Sequence, residues 1–311
     1  MLNIKQNHPL AQLTTFQIGG PAEYFGEVRS KEDIVEAFSL AKEKGIGITI
    51  LGGGSNVLIS DQGVKGLVIV LKNDDVAIRG ERIIASGGAP LAKILSLASG
   101  EGLSGLEWAH GIPRATLGGS IRGNAGAFGA LIAAIVETVE VYDQGKNIFE
   151  TLSNRMCAFA YRTSLFKENP NLLIWSATLK MRRTEKNEIL QRMEKSLKFR
   201  LDKYPRLPSA GSVFENLDAE DVFESNPELY EELKGRINDQ KQIGAGLIID
   251  MLGLKGKSIG GAKISLEHAN HIVNTGKASA DEVAQLIAFI KTRVRNEFGL
   301  NLREEVRYLG F

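Results

Sequence analysis

The chain has 311 residues, enough for roughly two domains, and its 43% hydrophobic and 24% charged residues are typical of a soluble globular protein. With 38 basic and 37 acidic residues it lacks the charge excess of a nucleic-acid-binding protein, so we expect a small-molecule partner. Its single cysteine, Cys157, excludes an internal disulfide and a cysteine metal cluster. Without an apolar signal segment or a run of ~20 apolar residues, the sequence predicts a cytoplasmic protein that does not enter membranes.

The first 72 residues predict a lobe that contains a strand–helix–strand unit. Thr14–Gly20 predicts a short strand that ends in a glycine turn. Ser30 begins a capping box, and apolar residues then recur at helical spacing as far as Gly45. The run at 46–50 predicts the next strand, and Gly66–Leu71 predicts a buried one.

Residues 73–204 predict a second lobe of mixed helices and strands. Apolar alternation is interrupted here by glycine and proline turns, which is typical of short antiparallel strands. The predicted elements, in chain order, are a hairpin at Val76–Ala85, a helix at Pro90–Gly100, strands at Glu137–Tyr142 and Leu172–Met181, and a charged helix from Thr184 to Lys203.

The portion after residue 204 predicts a separate α+β domain. Two prolines in Tyr204–Pro208 disfavour both helix and strand and mark the junction. Gly244–Leu252 is apolar with a helical period, and the last helix begins with a capping box at Ser279 and ends at Gly299. The charged tail Leu302–Tyr308 predicts a final strand.

The loop Leu51–Val57, with the sequence LGGGSNV, is the first candidate binding element. Three successive glycines allow positive φ angles and the close approach of main-chain N–H groups to a ligand. A plain turn would explain the glycines alone. Ser55 and Asn56 add a hydroxyl and an amide, which favours a loop that holds an anion such as phosphate.

A second glycine-rich stretch, Gly111–Gly129, has almost no bulky polar side chains. Two such stretches, separated by a strand-rich segment, suggest one long ligand whose central pyrophosphate is held from both sides. A dinucleotide has that shape.

Three other patterns resemble known sites only in part. Gly256–Ser258 resembles the end of a phosphate-binding P-loop, but Met251 occupies the position of its required glycine. Gly244–Gly246 lacks the third glycine of a dinucleotide-binding turn, so close helix packing is its expected use. His268 and His271 could share one helical face as zinc ligands do, but no third ligand stands out and no metal is predicted.

Short motifs spread over nearly the whole chain carry a family resemblance. In chain order they are Thr14–Ala22, Leu51–Asn56, Asn124–Gly129, Tyr161–Lys167, Ala210–Phe214, Leu247–Asp250, Gly253–Gly256, His268–Asn274, Phe298–Gly299 and Glu304–Arg307. Together they resemble the UDP-N-acetylenolpyruvoylglucosamine reductase (MurB) family. The chain is short between Asn216 and Gly244, so it resembles the subclass without the long tyrosine-bearing loop.

This resemblance implies an α+β fold with a two-lobed FAD-binding region of the vanillyl-alcohol-oxidase/PCMH type and a separate α+β substrate-binding domain. The implied boundaries are 1–204 for the FAD-binding region, with lobes at about 1–72 and 73–204 and residues 300–311 returning to it, and 205–299 for the substrate-binding domain. The implied activity is the NADPH-dependent, FAD-mediated reduction of UDP-N-acetylglucosamine enolpyruvate to UDP-N-acetylmuramate in peptidoglycan synthesis. FAD is expected to be bound non-covalently. No oligomeric state follows from the sequence.

The resemblance also assigns roles to individual residues. Arg162 is expected to bind the substrate carboxylate, Glu305 to donate a hydrogen bond to it, and Ser212 to supply the proton that quenches the carbanion. The residues expected to contact the substrate are Tyr161, Lys203 and Asn216. The residues expected to contact FAD are Leu51, Gly52, Gly53, Gly54, Ser55, Asn56, Val57, Gly118, Gly119, Ser120, Asn124, Ala125 and Gly126.

The chain departs from the family pattern at several positions. Gln17 stands where arginine is common, and Arg114–Ala115 replaces a single glycine, which lengthens the second glycine-rich loop by one residue. Glu215 and Leu217 replace the usual lysine and proline after Ser212. Two alternatives remain: a flavin oxidase of the same fold class, which often tethers its flavin through histidine, and a non-catalytic protein that binds flavin or a nucleotide sugar.

Overall fold

A computed structural model describes residues 2–311, which fall into two compact units. Unit 1 consists of the chain up to His8, Ala22–Gly54 and Lys65–Arg200. Unit 2 consists of Pro9–Pro21, Ser55–Val64 and Leu201–Phe311. The two units are defined by how compactly their residues pack. The functional division into an FAD-binding region and a substrate-binding domain stays a prediction.

The helices and strands are numbered in chain order. The strands are β1 Ile4–Pro9, β2 Pro21–Val28, β3 Ile48–Leu51, β4 Val57–Ile59, β5 Val64–Leu71, β6 Val76–Arg79, β7 Arg82–Ser86, β8 Leu103–Ser104, β9 Gly126–Ala127, β10 Ala130–Leu131, β11 Val136–Asp143, β12 Ile148–Ser153, β13 Leu172–Lys180, β14 Arg182–Arg183, β15 Ser209–Ser212, β16 Leu217–Asp218, β17 Gln242–Ile243, β18 Ser258–Ile259, β19 Ala262–Ile264, β20 His271–Asn274 and β21 Arg307–Leu309. The helices are α1 Lys31–Lys44, α2 Leu91–Gly100, α3 Leu117–Arg122, α4 Leu165–Glu168, α5 Lys186–Lys203, α6 Ala219–Ser225, α7 Pro227–Leu233, α8 Ala245–Met251 and α9 Ala280–Phe298.

The first lobe of unit 1 is a four-stranded sheet, in the order β1-β2-β5-β3, with α1 on it. Strands β3 and β5 are parallel, and β5 is buried over nearly its whole length, as its apolar run predicts. The capping box between Ser30 and Asp33 is present, and Gly45 closes α1 in the left-handed conformation. The predicted helix and both of its ends are therefore confirmed.

The second lobe of unit 1 is a five-stranded antiparallel sheet in the order β12-β11-β13-β7-β6. The predicted hairpin is present, since β6 and β7 pair across a turn at Gly80 and Glu81. Helix α2 follows Pro90, and α5 forms over most of the predicted charged segment. Arg200 of α5 is buried because its guanidinium donates to the carbonyl oxygens of Trp108 at 2.7 Å and His110 at 2.9 Å.

Unit 2 contains a four-stranded sheet in the order β15-β20-β19-β18, packed with α8 and α9 around one core. The capping box of Ser279 and Glu282 starts α9, and its predicted apolar face is buried. The tail strand β21 pairs in parallel with β4. Unit 2 therefore receives one strand from the end of the chain and one from the segment that follows the first glycine loop.

Two structural predictions were wrong or only partly right, and one possible arrangement is absent. Thr14–Gly20 is irregular rather than a strand, because the Thr14 hydroxyl accepts a hydrogen bond from the Gln17 N–H and Gln17 adopts a positive φ of 57°. The strand in the tail covers only β21. His268 and His271 do not share a helix, since His268 lies in a turn and His271 begins β20. Within residues 2–311, every helix is too short or too polar to cross a lipid bilayer.

Candidate active site

The two glycine-rich stretches contact each other in unit 1. The Arg114 Nε donates to the Gly53 carbonyl oxygen at 3.0 Å. A Cβ atom on Gly53 would overlap the Arg114 carbonyl oxygen, so only glycine fits at this position. Arg114 itself has a φ of 56°, a conformation that favours glycine. Arg114 therefore adopts a left-handed backbone conformation at its contact with Gly53.

The start of α3 lies beside this contact. The Thr116 hydroxyl caps the helix by accepting from the Gly119 N–H, and a Cβ on Gly52 would lie 3.1 Å from that hydroxyl. The Gly118 N–H donates to the Gly87 carbonyl at 2.8 Å, and a Cβ on Gly118 would press on the same oxygen at 3.0 Å. Backbone from three segments thus meets in one small region, together with the Thr116 hydroxyl.

The sequence reasoning missed the third of these segments, Gly87–Gly88. The Gly88 N–H donates to the buried Asn73 side chain at 3.1 Å, and the Asn73 amide donates to the Trp175 carbonyl at 3.0 Å. A glycine pair directly after a strand was the available signal, since such pairs mark turns with unusual backbone angles.

This part of unit 1 is glycine-rich backbone, and the contact with a pyrophosphate that the sequence suggests stays a prediction. Glycines at 52, 53, 87, 118 and 119 line it, and Cβ atoms at 53, 87 and 118 would press on neighbouring carbonyl oxygens. Backbone surfaces of this kind let main-chain N–H groups approach an anion closely. Leu51, by contrast, is a core residue at the end of β3, and its side chain is buried.

The remaining predicted FAD residues of unit 1 follow α3. Ser120 is buried, and its carbonyl oxygen accepts from the Ala125 N–H at 2.8 Å. Asn124 is 1% exposed; its amide donates to the Ala160 carbonyl at 2.8 Å and accepts from the Ala133 N–H at 3.3 Å. Its side chain therefore ties two loops together, and a direct contact between Asn124 and FAD stays a prediction.

Tyr161 and Arg162 form the tip of a tight turn in unit 1. Ala160 and Thr163 exchange both backbone hydrogen bonds, at 3.1 and 3.3 Å, which closes the turn. Arg162 has a φ of 52°, its guanidinium donates to the Gly126 carbonyl at 3.3 Å, and it lies 5.3 Å from the centre of the Tyr161 ring. The half-buried guanidinium is thus held beside the end of the second glycine stretch.

Ser212 and Glu305, which are far apart in sequence, meet in unit 2. The Glu305 N–H donates to the Val213 carbonyl at 2.8 Å, and the neighbouring Phe214 and Glu304 form a β-bridge. Both Ser212 and Glu305 are partly exposed. The structure therefore places a hydroxyl and a carboxyl group on adjacent backbone segments.

Ser55, Asn56 and Val57 complete the first glycine loop, but they belong to unit 2. The Asn56 amide donates to the Glu305 carbonyl at 3.1 Å, and the Asn56 carbonyl accepts from the Arg307 N–H at 3.1 Å. Val57 begins β4, beside β21. Asn56 therefore fixes the backbone of Glu305 in addition to its predicted contact with FAD.

Asn270 is a functional candidate that the sequence reasoning missed. It is 4% exposed, and its amide both accepts from the Phe214 N–H at 2.9 Å and donates to the Phe214 carbonyl at 2.8 Å. Its own carbonyl accepts from the Val213 N–H at 2.8 Å. The backbone that follows Ser212 is therefore fixed by the buried Asn270 side chain. The His268–Asn274 motif alone does not show this role, because the partner strand β15 is distant in sequence.

The two other predicted substrate residues, Lys203 and Asn216, belong to different segments of unit 2. Lys203 is the exposed last residue of α5, and the Asn216 amide oxygen accepts from the Ala245 N–H at 3.4 Å, at the start of α8.

The rings of Tyr204, His268 and His271 form a cluster, with Tyr204 4.9 Å from His271. Residues 2–311 contain no group of three metal-ligating side chains.

Comparisons with known proteins agree with this geometry. A family model described as "UDP-N-acetylenolpyruvoylglucosamine reductase, C-terminal domain" matches residues 202–309, and one described as "FAD binding domain" matches residues 22–151. The UDP-N-acetylenolpyruvoylglucosamine reductase of Solibacter usitatus is 35% identical over 311 residues, which cover 99% of this chain and 97% of that protein. The chain belongs to the UDP-N-acetylenolpyruvoylglucosamine reductase (MurB) family.

Further MurB relatives cover the chain equally well. The one from Caldanaerobacter subterraneus subsp. tengcongensis is 37% identical over 306 residues, 98% of this chain and 93% of that protein. The crystal structure of MurB from Thermus caldophilus is 31% identical, covers 99% of each chain and has a TM-score of 0.78. The predicted family is confirmed, as is an α+β fold with an FAD-binding domain of the vanillyl-alcohol-oxidase/PCMH type and a separate C-terminal domain.

Proposed function

We propose that this chain uses NADPH to reduce UDP-N-acetylglucosamine enolpyruvate to UDP-N-acetylmuramate, a step in peptidoglycan precursor synthesis. Its full-length membership of the MurB family supports this reaction, and the FAD-binding domain supplies the expected cofactor site. FAD, when bound, supplies the two-electron chemistry that passes a hydride from NADPH to the enolpyruvyl double bond. The preference for NADPH and a cytoplasmic location belong to the proposal.

In this proposal the glycine-lined backbone of unit 1 holds the FAD pyrophosphate, with Gly53 as the position that admits no side chain and Gly118 as one where a Cβ would be tight. The Arg162 guanidinium binds the substrate carboxylate. Its hydrogen bond to the Gly126 carbonyl and the adjacent Tyr161 ring hold it in a fixed direction. Lys203 and Asn216 contact the phosphate and uridine portion of the substrate.

In this proposal two side chains of unit 2 stabilise the negative charge that develops on the substrate and supply the proton. Hydride addition to the terminal enolpyruvyl carbon leaves negative charge on the neighbouring carbon and its carboxylate. A protonated Glu305 donates a hydrogen bond to that carboxylate and so stabilises the developing charge. The Ser212 hydroxyl transfers its proton to the carbon, forming a C–H bond, and the serine oxygen regains a proton from solvent afterwards.

The observation that carries the assignment of these two groups is the backbone contact between their segments. Ser212 and Glu305 are separated by most of the C-terminal portion, yet the Glu305 N–H binds the carbonyl of Val213, next to Ser212. This pairing keeps the two segments adjacent, as a shared role of their side chains requires. The buried Asn270 and the half-buried Asn56 hold the same two segments.

The test is steady-state NADPH oxidation by the purified protein, with and without the enolpyruvyl nucleotide sugar. We expect oxidation to require that substrate and the product to gain two hydrogens by mass spectrometry. UDP-N-acetylglucosamine, which lacks the enolpyruvyl group, is the matched control and should give no turnover. Oxidation that depends only on oxygen would favour a flavin oxidase, and absence of turnover in FAD-loaded protein would favour a binding protein.

The state of the flavin provides a second check. Because the structure offers a backbone cradle and neither glycine loop contains histidine, we expect a yellow protein that releases intact FAD on heating or acidification. Flavin that stays attached after denaturation would contradict the proposal.

A further inference from the structure

We infer that His271 is a positioning residue for Ser212: one ring nitrogen donates a hydrogen bond to the Ser212 oxygen, so that the serine hydrogen points toward the substrate. This inference rests on the proposed function, since it assigns a partner to the proposed proton donor. Strand β15 pairs with β20, and the His271 ring is buried.

The strand register places the two side chains together. Ser212 lies directly opposite His271 in the antiparallel pair, and the Val213 N–H donates to the carbonyl of Asn270. This pattern identifies Ser212 and His271 as a non-hydrogen-bonded pair, in which the side chains project from the same face and lie closest, with Cβ atoms roughly 4.5–5.5 Å apart. A rotation of the serine about its Cα–Cβ bond can bring its oxygen to the ring.

The His271 ring has hydrogen-bonding capacity to spare. His271 is 3% exposed, and within residues 2–311 neither of its ring nitrogens has a hydrogen-bond partner. Leaving such a polar group unsatisfied in the interior is costly, so a buried imidazole of this kind calls for a partner. The Ser212 hydroxyl is the polar group that the strand register puts opposite the ring.

The ring is suited to donate as a neutral group. Burial, followed by the nearby His268, lowers the pKa of His271 from 6.5 to about 3. A neutral imidazole carries one N–H and one unprotonated nitrogen. The Tyr204 ring covers it, 4.9 Å away. The N–H can therefore face Ser212 without bringing a positive charge into the interior.

The direction of the hydrogen bond determines its effect. If the serine oxygen accepts from His271, its own hydrogen remains available for the substrate carbon. When the O–H bond breaks and the C–H bond forms, the electron pair stays on the serine oxygen, and the His271 N–H, which stays intact, stabilises that negative charge. No other reactant is needed, because the oxygen recovers its proton from solvent.

The experiment measures each half-reaction by stopped-flow absorbance of the FAD-loaded enzyme. His271→Phe, which keeps a ring of similar size but no donor, should slow flavin re-oxidation by the enolpyruvyl nucleotide sugar about 10- to 100-fold. Flavin bleaching by NADPH and the Kd of the substrate should change less than about twofold. Val273→Ala is the matched control, since Val273 is buried on the same strand and has no polar group to lose.

A double-mutant cycle distinguishes positioning from a structural effect. In a Ser212→Ala background the His271→Phe change should have almost no further effect on re-oxidation, because the oxygen on which it acts is absent. His271→Asn and His271→Gln place an amide N–H near the two alternative nitrogen positions, and one of them should recover part of the rate. If His271→Phe reduced the flavin content, the double-mutant cycle would use an amide variant in its place. The variant chosen would be His271→Asn or His271→Gln, whichever re-oxidises the flavin more slowly.

The outcomes separate this inference from the proposed function. If wild-type enzyme reduced by NADPH is not re-oxidised by the nucleotide sugar, the proposed function itself fails. The role of His271 alone is overturned by either of two results, provided that wild type and Ser212→Ala behave as proposed. One is a re-oxidation rate of His271→Phe equal to that of wild type. The other is an equal loss of rate from His271→Phe in the wild-type and Ser212→Ala backgrounds.

Discussion

The candidate functional groups of unit 1 and those of unit 2 are of different kinds. In unit 1 the cradle is main chain: glycines at 52, 53, 87, 118 and 119 bring backbone together where Cβ atoms would press on their neighbours. In unit 2 the site consists of side chains, Ser212 and Glu305, on backbone that is held by other side chains. Asn270 and Asn56 provide that support.

This difference predicts opposite responses to mutation. A backbone cradle fails when atoms are added, because the space for a Cβ is already occupied by carbonyl oxygens. A side-chain site fails when atoms are removed, because a donor or a proton is lost while the backbone stays in place. Binding of FAD should therefore respond to glycine substitutions in unit 1, and the chemical step to truncations in unit 2.

The largest effect is expected from Ser212→Ala. Removing the proposed proton donor should slow re-oxidation of the reduced flavin by the substrate about 10³- to 10⁴-fold, in the upper part of the range for general acid catalysis. Reduction by NADPH requires no proton on a substrate carbon and should stay near the wild-type rate. Stopped-flow absorbance measures each half-reaction separately.

Ser212→Cys is the conservative comparison, since a thiol can also give up a proton, and part of the rate should return. If Ser212→Ala slowed bleaching by NADPH as much as re-oxidation, the serine would be positioning the flavin or stabilising the fold. The proton donor would then have to be another residue of the chain.

Glu305 should have the next largest effect. Glu305→Ala removes a hydrogen-bond donor to the developing charge, and loss of such a donor costs about 10²- to 10³-fold in rate. Glu305→Gln keeps an N–H donor and should cost less. The measurement is the kcat of each variant with the substrate at saturation, with Glu304→Gln as the neighbouring control. Near-wild-type turnover in both Glu305 variants would leave it as a structural residue of the tail.

The parts of this fold that the sequence predicted well are local. The capping boxes at Ser30 and Ser279 and the glycine ends of α1 and α9 involve residues a few positions apart, so the pattern alone identifies them. The glycine loops are visible for the same reason, although their mutual contact through Arg114 is not.

Predictions failed or were missing where the partner is distant. In the sequence Asn270 is an ordinary polar residue. Its hydrogen-bond partner, Phe214, is 56 positions away and is brought next to it by the pairing of β15 with β20. The irregular backbone at Thr14–Gly20 has strand-like composition, but a side chain of its own closes it into a turn. The roles of Ser212 and Glu305 came from family resemblance alone, because hydroxyl and carboxyl residues are common and spacing cannot single them out.

Gly53→Ala tests the backbone cradle. The added methyl group would overlap the Arg114 carbonyl, so the two loops must separate, and the Kd for FAD should rise roughly 100-fold, equivalent to about 3 kcal/mol. Fluorescence titration of flavin-stripped protein gives the affinity directly. Gly47→Ala is the matched control, because no atom lies within 4 Å of its added Cβ, and it should bind FAD as wild type does. Equal affinities for the two variants would mean that the cradle does not hold FAD.

The smallest effect concerns the buried ring of unit 2 and its dependence on pH. Because the pKa of His271 falls from 6.5 to about 3 on folding, the unfolded chain binds more protons between these values, and stability must decrease as pH falls below about 6.5. From pH 8 to pH 5 this amounts to about 2 kcal/mol. His271→Phe removes the group, so it should lose less stability than wild type over that interval.

The measurement is urea unfolding at both pH values with FAD in excess, followed by circular dichroism. The rings of Tyr204 and His268 lie 4.9 and 4.8 Å from the His271 ring. The pKa of His268 is itself lowered by burial, with Lys255 lowering and Asp250 raising it. These groups stay in the variant, so the difference between wild type and variant isolates His271. Val273→Ala, a buried change on the same strand without a titratable group, should shift stability equally at pH 8 and pH 5. If His271→Phe behaved like this control, the imidazole would titrate as freely in the native protein as in the unfolded chain.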